Sequence, residues 1–245
     1  MPGAALTGRL LDGIAGAVLP LGDLAYPHGS LLHYAECYEP TWGRHLGRSR
    51  PVPGNHEYET PGANGYFTYF GEQAGPRGLG YYVSAVGPWD LIALNSEINV
   101  SASSTQVAWL RGHLAAARAR CTLAYFHRPL FSSGPNGNNN DLRDVWRVLF
   151  EFNVDVVLSA HDHLYERFLP QDPNGLADPT RGIRQFTVGT GGAELRAPVR
   201  RQANSEITGT DWGVLKLTLG SEDYGWEFVP VPGAGFRDIG TGRCH

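Results

Sequence analysis

The sequence predicts an α/β fold in a single domain of 245 residues. Short apolar runs alternate with amphipathic segments over the first two thirds of the chain, which is typical of parallel βα units. The last third carries strand-like runs separated by glycine turns, which favours antiparallel pairing. A chain of this length can bury one large core.

The individual elements follow from the hydrophobic spacing along the chain. A first helix is predicted over residues 4–16, and a strand over residues 17–21 leads into Gly22-Asp23. A second helix over residues 30–39 has Ser30 as its N-cap. Later strands are predicted at residues 51–53 (before a turn at residues 54–57), 81–86, 89–95, 122–126, 154–158, 185–188, 213–219 and 225–229, later helices at 106–118 and 141–152, and a mobile surface loop at 132–140.

Composition argues against several classes of protein. The net charge of −4 gives no electrostatic reason to expect nucleic acid as a partner, and no apolar run approaches the ~20 residues of a membrane span. No signal-peptide pattern begins the chain. Three cysteines allow at most one internal pair. Cys121 opens an apolar run and Cys244 is next to last, so we hypothesise a Cys121–Cys244 bridge that ties the C-terminal tail to the core.

Potential metal ligands follow four of the predicted strands. Asp23, Asn55 and His127 each stand at a strand exit, and His161 and His163 stand together at a fourth. Open α/β sheets bind ligands at the carboxyl ends of their strands. Carboxylate, amide and imidazole donors without cysteine suit zinc, iron or manganese. Each residue alone has an ordinary structural explanation as a cap, a turn former or a packed histidine, so the metal hypothesis depends on their joint occurrence.

Taken in order, these motifs resemble the calcineurin-like metallophosphoesterase superfamily. Tyr26, three residues after Asp23, and the run from Leu164 to Arg167 resemble the purple acid phosphatase branch and its bacterial relatives. The resemblance implies an αββα architecture, in which two mixed β-sheets pack as a sandwich flanked by helices. The motifs that carry it are Gly22-Asp23, Gly54-Asn55-His56-Glu57, His127 and Ala160-His161-Asp162-His163.

The resemblance also implies two metal ions and a ligand set. Asp23 would bridge both ions. Tyr26 and His163 would bind the first, a ferric iron. The second, a zinc, ferrous iron or manganese ion, would be bound by Asn55, His127 and His161.

The implied activity is hydrolysis of small phosphate monoesters, by in-line attack of a hydroxide that the two ions generate. His56 would contact the phosphate and protonate the leaving alcohol. Asn55 and Arg128 are further candidates for substrate binding, although an ordinary surface arginine is the alternative for Arg128. Glu57 and Asp162 are either carboxylates that orient imidazoles or solvated turn residues.

One family motif is missing, since no Asp-x-Gly or Asp-x-His strand end precedes Asp23. Asp12-Gly13 matches this motif in residue types but not in position, because it falls inside the first predicted helix rather than at a strand end. The sequence therefore predicts a catalytic domain, residues 1–245, that is truncated at its N-terminus and lacks the first strand and one carboxylate of the first metal site. The resemblance suggests a secreted or periplasmic location, but the chain itself leaves location and oligomeric state open. A phosphodiesterase and a catalytically weak or inactive relative remain alternatives.

Overall fold

The structure is a computed structural model that describes residues 1–117 and 119–245. Seven strands form a large mixed sheet: β1 (Tyr82–Val86), β2 (Trp89–Ala93), β3 (Cys121–Tyr125), β4 (Val156–Ser159), β5 (Tyr165–Phe168), β6 (Arg184–Val188) and β7 (Ser205–Gly209). Their spatial order is β1-β2-β3-β4-β6-β5-β7. The central strands β2, β3, β4 and β6 pair in parallel, and the other pairs are antiparallel. The carboxyl ends of the four central strands therefore meet at one edge of the sheet.

A small antiparallel sheet packs against this large sheet. It contains β8 (Gly213–Leu219), β9 (Asp223–Pro230) and β10 (Ile239–Arg243), in the order β10-β9-β8. Leu123 and Val156 of the large sheet share one apolar core with Trp226 and Phe228 of the small sheet. The two sheets thus form the sandwich that the resemblance implies.

Helices cover both outer faces of the sandwich. Leu110 and Trp146 pack into the core on the far face of the large sheet, and Leu11 packs with Val214 on the small sheet. No helix in the described ranges is long and apolar enough to cross a membrane. The helices are α1 (Ala4–Asp12), α2 (Leu31–His33), α3 (Asn55–Tyr58), α4 (Asn64–Phe70), α5 (Thr105–Ala116) and α6 (Arg143–Glu151), with a π-helical turn at Tyr34–Tyr38 and short 3-10 turns at Gly43–Arg48, Pro61–Ala63, Gly71–Ala74 and Asn140–Leu142.

The predicted α/β fold is confirmed, with differences at particular elements. The apolar run at residues 17–21 forms only isolated parallel bridges with residues 49 and 52 rather than a full strand. The turn predicted after Gly54 is the helix α3. The end of the third predicted helix, at Arg118, lies outside the described residues. Ser30 caps α2 as predicted, but the chain then continues as a π-helical turn.

The prediction of an exposed, mobile loop at residues 132–140 is wrong for the first half of this segment. Ser132 and Ser133 are buried, and their hydroxyl groups donate hydrogen bonds to the carboxylates of Asp162 and Glu166. The polar composition of this segment therefore reflects a buried hydrogen-bonded network rather than exposure to solvent.

The predicted disulfide is confirmed. Cys121, fully buried at the start of β3, is bonded to Cys244, and their Cα atoms lie 5.5 Å apart. The neighbouring His245 N–H donates a hydrogen bond of 2.7 Å to the Asp155 carboxylate. The tail is therefore attached to the centre of the large sheet by a covalent bond and a hydrogen bond.

Candidate metal centre

The candidate ligands gather at the edge of the large sheet where its parallel strands end. β3 ends at Tyr125 and leads to His127, and β4 ends at Ser159 and leads to His161 and His163. Because β3 and β4 are parallel neighbours, these histidines emerge side by side.

Asp23 and Asn55 reach the same edge from a second pair of segments. The bridges of residues 18 and 21 to residues 49 and 52 place the two following turns next to each other. A Cβ atom on Gly54 would lie 2.3 Å from Asp23 Oδ1, so only glycine permits this approach. Asp23 and His161 both adopt left-handed backbone conformations, with φ of 55° and 63°, which concentrates backbone strain at the site.

Four potential ligand atoms converge on one point. His127 Nε2 lies 3.1 Å from Asp23 Oδ2, 3.2 Å from Asn55 Oδ1 and 3.1 Å from His161 Nδ1. Asp23, His127 and His161 could hold one metal ion together, since their potential ligand atoms all lie within 4.8 Å of one another. We refer to Asp23, Asn55, His127 and His161 as the four-donor cluster.

A backbone carbonyl orients the central imidazole of this cluster. His127 Nδ1 lies 2.7 Å from the carbonyl oxygen of Leu21. A carbonyl oxygen only accepts hydrogen bonds, so Nδ1 carries the N–H. Nε2 therefore faces the other potential metal-ligand atoms of the four-donor cluster. This is the arrangement in which a metal-binding histidine is usually held.

A second group of donors adjoins the first through Asp23. The Tyr26 hydroxyl lies 3.4 Å from Asp23 Oδ2 and 3.3 Å from His163 Nε2. His163 Nδ1 donates to the Glu194 carbonyl oxygen over 2.8 Å, which turns Nε2 toward the tyrosine. We refer to Asp23, Tyr26 and His163 as the three-donor cluster.

His56 lies beside both clusters without joining either. Its Nε2 atom is 4.0 Å from Asp23 Oδ2, and its ring packs against Tyr26 with 4.4 Å between ring centroids. Nδ1 donates to the Pro27 carbonyl oxygen, so Nε2 is the nitrogen available to a substrate. About a quarter of the side chain, 27%, is exposed, which a group that contacts substrate requires.

Arg128 lies at the rim of the four-donor cluster. Its Nε atom donates to both carboxylate oxygens of Glu97, at 3.0 and 2.9 Å, and its Nη1 atom lies 3.3 Å from His161 Nε2. Glu97 therefore fixes the direction of the guanidinium group. Sequence patterns alone did not single out Glu97, because nothing in its local spacing relates it to Arg128.

Glu57 is a buried carboxylate that organises the backbone of the site. It accepts hydrogen bonds from the N–H groups of Asp23, Leu24 and Gly54 at 2.7 to 2.9 Å, and from the Tyr34 hydroxyl at 3.2 Å. Neither sequence interpretation of Glu57 holds, since it is fully buried and bonds to backbone amides rather than to an imidazole.

Asp162 is also buried, and it accepts hydrogen bonds from the segment of residues 132–136. It accepts hydrogen bonds from the Ser132 hydroxyl and the Asn136 N–H. Asn136 in turn donates its side-chain amide to the His161 carbonyl oxygen over 3.1 Å. Asp162 thus positions the turn that carries His161, and the prediction of a solvated turn carboxylate is wrong for this residue.

The charges of the site perturb its titratable groups in opposite directions. Burial alone would lower the pKa of His127, but the Asp23 carboxylate against Nε2 raises it to about 9. Burial, together with the positive charges of His127 and Arg128, lowers the pKa of His161 to about 3. Metal binding at the four-donor cluster would therefore displace a proton from His127. Burial and the carboxylates of Asp23 and Glu57 raise the pKa of the Tyr26 hydroxyl.

We expect Glu57→Gln to weaken metal binding without removing any ligand. One carboxylate oxygen becomes an NH₂ group that faces backbone N–H donors, so the turns carrying Asp23 and Asn55 lose their common acceptor. Metal affinity should fall by about 10–100-fold, the range for residues that orient ligands, and the free energy of unfolding by about 1–3 kcal/mol. Zinc titration and thermal unfolding measure the two effects.

Glu72→Gln, in an exposed 3-10 turn, serves as the matched control for this substitution. If Glu57→Gln binds zinc as tightly as the unmodified protein does, the Glu57 carboxylate has no positioning role.

Comparison with known proteins assigns the family. The calcineurin-like phosphoesterase family model matches residues 7–165, which contain every residue of both clusters. The chain belongs to the calcineurin-like phosphoesterase family.

Relatives within this family include purple acid phosphatases. Purple acid phosphatase 22 of Arabidopsis thaliana is 30% identical over 186 residues, covering 66% of this chain and 42% of that protein. An uncharacterized protein of Mycobacterium tuberculosis is 28% identical over 197 residues, covering 69% of this chain and 34% of that protein. This calcineurin-like phosphoesterase chain thus spans less than half the length of these two relatives.

The fold prediction is confirmed by a solved structure. The purple acid phosphatase PPD1 from yellow lupin (Lupinus luteus) superposes with a TM-score of 0.79 over 98% of this chain and 49% of its own, at 20% identity. At that identity the likeness concerns the fold alone, and the ligand assignments depend on the geometry described above.

The side chains present fit a pair of metal ions, as the family implies. The four-donor cluster offers an aspartate oxygen, an amide oxygen and two imidazole nitrogens, a set that suits zinc, manganese or ferrous iron. The three-donor cluster adds a phenol oxygen, a hard donor. Converging lone pairs at 3.1 to 3.2 Å repel one another unless a cation or a shared proton lies between them.

Proposed function

We propose that this chain hydrolyses phosphate monoesters with the help of two metal ions. The observation that carries the proposal is the convergence of two donor clusters on the shared Asp23 carboxylate. In this proposal the three-donor cluster holds ferric iron, and the four-donor cluster holds a zinc, ferrous iron or manganese ion. Residues 1–245 would then form a single catalytic domain.

The protein's own residues supply the remaining parts of such a reaction. When bound, the two ions would supply Lewis acidity for water and for the phosphoryl oxygens. His56 Nε2, beside the clusters and partly exposed, would hold a proton for the leaving alcohol. Arg128, fixed by Glu97, has its Nη1 atom 3.3 Å from His161 Nε2, beside the four-donor cluster, and would bind a phosphate oxygen there.

A monoesterase is favoured over a diesterase by the tyrosine in the three-donor cluster and by the purple acid phosphatases among the relatives. Turnover of p-nitrophenyl phosphate should exceed turnover of its bis ester at equal concentration. A reversed preference would favour the diesterase alternative.

The test of the proposed function is phosphatase activity of metal-loaded protein. His161→Ala removes one donor of the four-donor cluster and should lower turnover of p-nitrophenyl phosphate by at least about 100-fold. His113→Ala is the matched control, because His113 lies on α5 and pairs with Asp90 away from the site. A visible charge-transfer band that disappears in Tyr26→Phe would identify tyrosinate-bound iron.

A folded, metal-loaded, colourless protein without activity on either ester would overturn the proposal. That result would favour the alternative in which the chain is a catalytically inactive member of the family.

We expect the two clusters to differ in metal affinity. Asp23 is the one carboxylate in the three-donor cluster, and it is shared with the four-donor cluster. A trivalent ion needs more negative charge than a single shared carboxylate and one phenol oxygen supply. Metal analysis after gel filtration should therefore show the four-donor cluster filled and the three-donor cluster partly filled. Two full equivalents of metal would contradict this prediction.

A secreted or periplasmic location is proposed on the basis of the disulfide. Disulfides persist in oxidising compartments and are rare in the cytosol. Cys121 is fully buried at the start of a central strand and its partner Cys244 is half-buried, which supports a chain that folds under oxidising conditions. Expression into the bacterial periplasm should give a higher yield of folded protein than expression in a reducing cytosol.

A further inference from the structure

A polar cavity of about 450 Å³ adjoins the four-donor cluster at His161 and Arg128. Its volume lies within the range of roughly 300–1,000 Å³ that is typical of small-molecule sites. The remaining walls come from residues 96–100, which follow β2, and from residues 136–141, which precede α6. We call this cavity the amide pocket after three of the side chains that line it, Asn136, Asn138 and Asn139.

Backbone groups fix the direction of two of these amides. Asn136 Nδ2 donates a hydrogen bond of 3.1 Å to the His161 carbonyl oxygen. Asn139 Oδ1 accepts one of 3.2 Å from the Asp141 N–H. A carbonyl oxygen only accepts and an N–H only donates, so neither amide can be turned over without losing its bond. Asn136 Oδ1 and Asn139 Nδ2 are therefore the atoms that remain for a ligand.

Two charged side chains of the pocket also have unused hydrogen-bonding atoms. Arg128 donates from Nε to Glu97 and has Nη1 beside His161, so its Nη2 atom has no partner in the described ranges. The Asp141 carboxylate is exposed, and among residues 1–117 and 119–245 it has neither a hydrogen bond nor an ion pair.

The amide pocket therefore offers both free donors and free acceptors. The donors are Arg128 Nη2 and Asn139 Nδ2, and the acceptors are Asn136 Oδ1 and the Asp141 carboxylate. A hydroxyl group both donates and accepts, so a ligand rich in hydroxyl groups can satisfy all four.

Other ligand chemistries match the amide pocket less well. No Phe, Tyr or Trp of the described residues lines it, so an aryl ring or a quaternary ammonium group has no aromatic face to contact. The charge of Arg128 is paired with Glu97, whereas the charge of Asp141 is unpaired. The unpaired carboxylate disfavours a second anionic group on the ligand.

We propose that the amide pocket binds the alcohol part of a sugar or polyol phosphate, with the phosphoryl group at the candidate metal centre. This inference rests on the proposed function and names its substrate class. Because His161 belongs both to the four-donor cluster and to the pocket wall, an ester bound at the cluster would extend its alcohol part into the pocket. An alcohol without hydroxyl groups would leave the four free atoms without partners, which costs affinity.

The experiment compares two primary phosphate esters of similar shape. Glucose 6-phosphate has a six-membered ring that carries hydroxyl groups, and cyclohexylmethyl phosphate has a six-membered ring that carries none. The kcat/KM of metal-loaded protein should be at least about tenfold higher for glucose 6-phosphate, since two or more hydrogen bonds of ordinary net strength are gained. Equal values, or a preference for cyclohexylmethyl phosphate or for choline phosphate, would overturn the inference.

Two variants test the atoms of the pocket itself. Asp141→Ala removes a free acceptor, and Asn139→Asp replaces the free donor while keeping the Oδ1 atom that accepts the Asp141 N–H. Each should reduce the preference for glucose 6-phosphate over cyclohexylmethyl phosphate by about fivefold. Glu36→Ala, at another exposed carboxylate, is the matched control and should leave the preference unchanged, because Glu36 does not line the pocket. An unchanged preference in both pocket variants would contradict the assignment.

Failure of this inference is distinguishable from failure of the proposed function. Turnover of cyclohexylmethyl phosphate without a preference for the sugar ester counts against the inference alone. If neither ester is turned over, the proposed function fails, and hydrogen exchange of the same protein then tests the pocket. Glucose 6-phosphate at ten times its dissociation constant should slow exchange within residues 136–141 by about tenfold. Absence of this protection, or equal protection by cyclohexylmethyl phosphate, would exclude the pocket as a site for the sugar.

Discussion

Replacing Asp23 with asparagine is expected to lower kcat/KM for p-nitrophenyl phosphate by at least about 100-fold, because several kcal/mol of metal-derived stabilisation would be lost. Asp23 is the one residue common to both donor clusters. Its Oδ2 atom faces His127 and the Tyr26 hydroxyl. Its Oδ1 atom accepts a hydrogen bond of 2.9 Å from the backbone N–H of His56. The substitution removes the shared negative charge and places an NH₂ group among atoms that would bind metal.

The same substitution should reduce bound metal at both clusters, which metal analysis of the purified variant measures directly. Asp12→Asn is the matched control, since Asp12 is half exposed and pairs with Arg44 at the end of α1. Metal content and turnover in Asp23→Asn within twofold of the control would exclude Asp23 as the shared ligand.

Removing the disulfide is expected to cause a large loss of stability. Cys121 and Cys244 are separated by 123 residues, and a closed loop of that size is worth about 5 kcal/mol in the chain-entropy account, within a measured range of about 2–5 for native disulfides. For a chain of this length, each 1 kcal/mol lowers Tm by roughly 2–4 °C. The double variant Cys121→Ser/Cys244→Ser should therefore melt about 10 °C lower.

Cys37→Ser, at the unpaired cysteine, is the control for loss of a sulfur atom. The C-terminal tail also keeps hydrogen bonds from Cys244 N–H to Glu222 and from His245 N–H to Asp155, so it should remain docked in the folded variant. A change in Tm below about 2 °C would show that these contacts, rather than the disulfide, hold the tail.

The positions of the candidate metal-binding residues could be predicted from sequence because they depend on a simple rule of topology. His127 and His161 follow apolar runs, and the exits of parallel strands share one edge of a sheet. The pairing of Cys121 with Cys244 also follows from position, since one cysteine opens a core strand and the other lies in the tail. Both inferences need only local patterns and the order of elements.

Features that depend on which distant residue supplies a hydrogen-bond partner could not be predicted. The segment at residues 17–21 has strand-like composition, yet within the described residues its backbone pairs only with the backbone of residues 48–52 and therefore forms bridges without a full strand. β5 contains Glu166 and Arg167, which do not look like buried strand residues. Ser133, 33 residues away, donates hydrogen bonds to the buried Glu166 carboxylate, and Asp238, 71 residues away, accepts one from the half-buried Arg167.

The carbonyl oxygens of Leu21 and Glu194 decide which nitrogen of His127 and of His163 faces the centre. Both acceptors are main-chain atoms, so no change of side chain deletes them. An alanine scan of the site would identify the ligands and Glu57 but would assign no effect to these two supports. Their contribution is accessible only to backbone chemistry, such as an ester in place of the amide that follows each residue, which weakens the carbonyl as an acceptor while every side chain stays in place.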